Sequence, residues 1–110
     1  QTEKELKDGA NIKIFSRMVE NDFKLHEYDL VHALGHGVGL DIHEFPFIHG
    51  KNDNTLKEKM VITNEPGIYV PEKFGVRIED TTLITKNGCI NLTKSDKNYI
   101  VIEAKKWLII

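Results

Sequence analysis

The chain has 110 residues, 40% of them hydrophobic and 29% charged, the proportions of an ordinary globular domain. At this length about 65% of the unfolded surface can be buried, enough for one small core without disulfide staples. Seventeen acidic and fifteen basic residues leave a net charge of −2, which weighs against a nucleic-acid binder held by a basic face, and no apolar run approaches a membrane span.

The chain starts at Gln1 and ends on Trp107-Leu-Ile-Ile110; both ends read as cut, so a piece of something longer is expected. Leu6–Asn11 reads as a turn, with Gly9 supplying conformational freedom and Asn11 capping a helix. Apolar residues at Ile12, Phe15, Met18, Val19 and Phe23 predict a scaffold helix over 12–23. Tyr28–Leu34 is expected as a strand and Phe45–Asn54 as a loop, given Pro46, Gly50 and a polar run. Thr55–Lys59 reads as one helical turn. Met60–Thr63 and Ile68–Val70 read as strands, with Pro66-Gly67 between them. Val76–Thr85 alternates as one strand, Val76, Ile78 and Asp80 facing one way and Arg77, Glu79 and Thr81 the other. Asn87-Gly88 is a tight-turn signal that joins Thr81–Lys86 to Cys89–Leu92 as a hairpin. Cys89, the single cysteine, reads as a small apolar residue of a reducing compartment, so a cytoplasmic location is expected. Tyr99–Glu103 is expected as a last strand. The class is α+β: one helix feeding a curved antiparallel sheet.

Chemistry concentrates in HALGHGVGLDIHEFP, residues 32–46. His32 and His36 have the spacing of the helical zinc motif H-E-x-x-H. Position 33 is alanine, however, and Gly35 and Gly37 oppose a helix. An extended backbone fits better, with glycines admitting a close neighbour. A lone histidine there would be an ordinary loop residue; three of them, followed by Glu44, point to a site. Gly35-x-Gly37-x-Gly39 lacks the G-x-G-x-x-G spacing and the following Lys-Ser/Thr, which excludes a nucleotide loop. Glu65 precedes Pro66-Gly67, and Glu79 falls in mid-strand near Arg77. Two readings stand for Glu79: a surface pair with Arg77, worth little, or a metal ligand. Carboxylates suit hard divalent ions and can bridge two of them. One histidine with several carboxylates favours manganese, iron or cobalt over structural zinc.

Taken together, His-x-x-Gly-His-Gly-Val-Gly-Leu-x-x-His-Glu, Met-Val-x-Thr-x-Glu-Pro-Gly-Ile-Tyr, Gly-Val-Arg-Ile-Glu-Asp and Leu-Ile-Thr-x-x-Gly with Leu-Thr resemble the pita-bread metallopeptidases. That group holds Xaa-Pro aminopeptidases, prolidases, methionine aminopeptidases and creatinase. The likeness runs from about Tyr28 to Thr93, and Gly75–Asp80 resembles the Xaa-Pro aminopeptidase and prolidase branch. The resemblance implies the C-terminal half of a pita-bread fold and two divalent ions, Mn²⁺ foremost, with Co²⁺, Fe²⁺ or Zn²⁺ as alternatives. It implies a peptide substrate with proline in second position and a homodimeric full-length protein.

The resemblance also implies residue roles. His36 ligates one ion, Glu65 is a ligand that also moves the proton of the attacking water, and Glu79 bridges both ions. His32 and His43 flank the scissile bond, and Arg77 orients carboxylates or the substrate end. Glu44 holds histidine or backbone groups in place, and Asp41 is no ligand. The family's two aspartate ligands have no counterpart here, because Asp8, Asp22 and Asp29 lack strand context. Residues 1–110 are therefore expected to be the C-terminal portion of a catalytic domain, inactive or weakly active alone, with a sheet edge and apolar surface exposed. The alternatives are a non-catalytic pita-bread module that binds peptides or proteins, and a mononuclear site using His36, Glu65 and Glu79.

Overall fold

A computed structural model of the chain describes residues 2–105. After a 3-10 turn at Thr2–Glu5, the chain turns at Gly9, whose φ is +80°, and enters helix α1, Ile12–Leu25. Asn11 caps α1 as its composition predicts: its Oδ1 accepts the Ile14 N–H at 3.0 Å, satisfying one donor that the helix leaves unpaired. The Asn11 amide donates to Asp53 Oδ1 at 3.0 Å, tying the helix start to a distant loop. Ile12, Phe15, Ser16 and Val19 form the buried stripe. Met18, expected on that stripe, lies at its margin and is 39% exposed.

Among the described residues seven strands follow: β1 Gly35–Gly37, β2 Glu44–Ile48, β3 Val61–Asn64, β4 Gly67–Val70, β5 Phe74–Arg77, β6 Asp80–Ile84 and β7 Cys89–Asn91. Five form an antiparallel sheet in the order β2-β1-β3-β6-β7, and β4 and β5 form a separate ribbon. The core gathers Leu6, Ile12, Phe15 and Val19 against Leu34, Ile48, Leu56, Ile62 and Ile84. The α+β expectation holds.

The register between β3 and β6, Val61 with Leu83 through Asn64 with Asp80, continues without a slip into β4 and β5, Gly67 with Arg77 through Val70 with Phe74. These four strands are one long hairpin interrupted once. Val76–Thr85 is therefore two strands rather than one, parted at Ile78 and Glu79. The interruption faces Pro66, which has no N–H to give to the ladder.

Other expectations change. Tyr28–Leu34 is irregular, and the strand begins only at Gly35. Glycine is what lets β1 lie pressed between its neighbours: a Cβ on Gly35 would overlap the Thr63 carbonyl, and one on Gly37 the Phe45 carbonyl. Phe45–Ile48 belongs to β2 rather than to a loop, with the Phe45–Pro46 peptide cis. Pro46 is tolerated because β2 is an edge strand. Thr55–Lys59 forms no helical turn; Thr55 bridges to Asn11, and the Leu56 N–H donates to Ala10 O at 2.8 Å. The expected β6–β7 hairpin is present, closed by a Thr85 N–H to Gly88 O bond of 2.9 Å. Tyr99–Glu103 forms no strand, and its residues are exposed. Exposed apolar side chains are abundant near the β2 edge, including Leu40, Ile42 and Phe45.

Candidate metal centre

Glu65 and Glu79 occupy the interruption of the long hairpin. The register on either side sets them opposite one another. The Glu65 N–H donates to Leu34 O at 2.8 Å, and the Ile78 N–H reaches Pro66 O at 3.2 Å across the gap. A backbone freed from the ladder here can turn both carboxylates toward one point. Burial holds the Glu65 carboxyl above the usual carboxylate range, and the negative charge of Glu79 and a hydrogen bond shared with it push the same way. His36 and Arg77 act in the opposite sense. Two carboxylates crowded this way are relieved by a cation.

His36 sits in the middle of β1, buried. Its backbone N–H donates to Thr63 Oγ1 at 3.0 Å, and its Nδ1 lies 2.9 Å from Gly37 O. A carbonyl only accepts, so Nδ1 is the donor there, which leaves Nε2 as the ring nitrogen turned toward Glu65 and the one that could ligate a cation. Nε2 lies 3.7 Å from Glu65 Oε1. The His43 ring stands against His36, with centroids 4.3 Å apart and planes at 55°. Arg77 pairs with Gly67 across the ribbon and its charge acts on Glu65. Among the described residues Arg77 and Glu79 form no ion pair, against the surface-pair reading.

His32 has a different neighbour. Its Nδ1 lies 2.7 Å from Ala33 O, which fixes that nitrogen as donor, and its Nε2 accepts the Tyr69 O–H at 2.8 Å. The two rings meet edge to face at 5.4 Å. Tyr69 is absent from the residues singled out by sequence. Its signal was alternation along β4, which turns Tyr69 away from Ile68. Glu44 holds backbone, as expected: its Oε2 accepts the Asp41 N–H at 3.4 Å. None of Asp8, Asp22 and Asp29 lies in a strand.

His36 thus meets Glu65, and Glu65 meets Glu79, in pairs. Among the described residues no group of three His, Cys, Asp or Glu side chains is placed to hold a metal ion. By donor type alone, one imidazole nitrogen and two carboxylates suit a divalent cation of hard to borderline character.

The model of metallopeptidase family M24 matches residues 1–86. The chain is 48% identical over 96 residues to an Xaa-Pro dipeptidase of Pyrococcus furiosus, covering 86% of this chain and 28% of that protein. It is 58% identical over 69 residues to an Xaa-Pro dipeptidase of Pyrococcus horikoshii, covering 63% of this chain and 20% of that protein. Among solved structures, the prolidase from Pyrococcus furiosus superposes with a TM-score of 0.84 at 47% identity, over 87% of this chain and 29% of that one. The X-Pro aminopeptidase from Thermotoga maritima superposes with a TM-score of 0.87 at 37% identity, over 92% and 29%. The helix and sheets are a portion of the pita-bread fold. The chain spans between 20% and 28% of the length of these two curated relatives.

Proposed function

We propose that this chain, which belongs to metallopeptidase family M24, supplies one wall of a two-metal centre that hydrolyses the peptide bond before proline. The names of its relatives, Xaa-Pro dipeptidase and X-Pro aminopeptidase, support that substrate class. His36, Glu65 and Glu79 would hold the metal from this chain, with Mn²⁺ the first expectation. When bound, such ions would acidify water and polarise a carbonyl.

The chain's own residues do the rest. Glu65, whose proton affinity is raised by burial and by Glu79, takes the proton of the attacking water. His32, whose two ring nitrogens are held by Ala33 O and the Tyr69 hydroxyl, and His43, against His36, flank the scissile bond, and His43 offers a hydrogen bond to its oxygen. Arg77 steadies the carboxylates or the substrate end. Two aspartate ligands come from outside this span, so the chain alone is inactive or weakly active, and the whole protein works as a cytoplasmic homodimer.

The observation that carries this reading is Glu65 opposite Glu79, with His36 Nε2 3.7 Å from Glu65. The test is release of the residue before proline from an Xaa-Pro dipeptide with added Mn²⁺. The whole protein should be active, and His36→Ala or Glu79→Gln should abolish that activity. Near-normal turnover by either variant at limiting metal would overturn the assignment. Binding of peptide with no hydrolysis by the whole protein would instead favour a non-catalytic module.

A further inference from the structure

Behind the two glutamates lies a second polar group. Asn64 and Asp80, each next in sequence to a candidate ligand, form a register pair and so share a face. Thr82, two residues along β6, lies on the same face. All three are more than nine-tenths buried. Asn64 Oδ1 and Thr82 Oγ1 have no hydrogen-bond partner in the protein. Asp80 Oδ1 meets Lys97 Nζ at 2.9 Å, a contact of opposite charges rather than an aligned hydrogen bond.

Lys97 arrives on a strap. Beyond β7 the chain runs on antiparallel to β6 toward its start: the Leu92 N–H donates to Thr81 O at 2.8 Å, and the Thr81 N–H to Thr93 Oγ1 at 2.9 Å. The strap lies past the residues matched by the family model. Glu79 has no strand of its own. Its backbone is held on one side by the Ile78–Pro66 bond of 3.2 Å and on the other by Asp80, the first residue of β6. A buried Asp80 carboxylate without a countercharge would favour peeling the start of β6 toward water, and Glu79 would move with it.

We infer that Lys97 is a positioning residue: through Asp80 it fixes the start of β6 and thereby the place of Glu79 opposite Glu65. The inference rests on reading Glu79 as a ligand, but its first test needs no metal.

The experiment uses the full 110-residue chain and carboxyl ¹³C NMR of Glu65 and Glu79 without metal. Lys97→Met should displace the Glu79 signal, and Lys97→Arg should return it to its wild-type position. Asp80→Asn removes the buried charge, so on that background Lys97→Met should add nothing. An unmoved Glu79 signal in Lys97→Met, failure of the arginine rescue, or additive effects on the Asp80→Asn background would each overturn the inference. If Lys97→Met does not fold, the comparison between Asp80→Asn and the double variant decides. A Mn²⁺ titration follows, in which Lys97→Met should weaken binding about tenfold and Lys97→Arg should restore it. Unchanged affinity in Lys97→Met would also overturn the inference. Wild-type chain that binds no Mn²⁺ while its Glu79 signal still responds to Lys97→Met would count against the metal reading and for the strap.

Discussion

Glu65 faces Glu79 across the one interruption of a hairpin that is otherwise in register from Val61–Leu83 to Val70–Phe74. Like charges directly opposed across a ribbon are destabilising; burial foremost, and then the charge of Glu79, raise the proton affinity of Glu65. On the proposed reading, a fold that keeps them together without metal trades stability for a place to bind a cation.

Glu79→Gln should therefore stabilise the metal-free chain, by about 0.5 kcal/mol, or about 2–4 °C in thermal midpoint. Added Mn²⁺ should raise the wild-type midpoint by mass action and leave the variant's midpoint unmoved. Thermal unfolding with and without Mn²⁺ reads both, and a variant less stable than wild type without metal would contradict the like-charge account.

Gly35→Ala should cost about 2 kcal/mol or more, because the new methyl must push β1 away from the Thr63 carbonyl. Gly88→Ala is the control. Its nearest neighbour, Thr85 Oγ1, is 4.0 Å away, so the change should stay within about 0.5 kcal/mol. Urea midpoints of the two variants should separate accordingly.

Asn11→Ala should cost about 1 kcal/mol through loss of the cap to Ile14. Asn11→Ser should fall between wild type and alanine. It keeps an oxygen for the cap but loses the amide that reaches Asp53. Equal stability of all three in urea unfolding would show that the cap does not limit this helix.

Burial and the charge of Glu3 push the Cys89 thiol above its ordinary value. Only the thiolate attacks alkylating agents, so iodoacetamide should label the folded chain more slowly at neutral pH than it labels a free cysteine peptide. The rate–pH midpoint should also lie higher. The folded state holds this proton more tightly than the unfolded state, so the associated stability is present below the unfolded pKa and is lost as pH rises through the folded one. Glu3→Gln should lower the labelling midpoint part of the way, and a midpoint at the peptide value in the folded chain would refute the shift.

Local signals were legible in the sequence. The cap at Asn11, the helix after it, strands β3 and β4 and the β6–β7 hairpin follow from residue types a few positions apart. The interruption at Ile78–Glu79 was not legible, because alternation runs through it unbroken and its cause, Pro66, lies on the partner strand. Strand β2 was hidden by Pro46 and Gly50, which read as loop when the edge position of β2 is unknown. Among the site residues, His36, Glu65 and Glu79 announce themselves by chemistry. The Tyr69 hydroxyl on His32 and the Lys97 ammonium on Asp80 join positions far apart in sequence, and only the folded register brings them together.

That register also predicts which length changes the protein can tolerate. Glu65 and Glu79 lie at equal steps from the hairpin tip at Pro71–Lys73. Extra residues at the tip can loop out, leaving both glutamates where they are. One residue gained or lost within β4 or β5 turns every later side chain on that arm to the other face. Viable insertions and deletions in this stretch should therefore collect at the tip, while the two arms keep matched lengths.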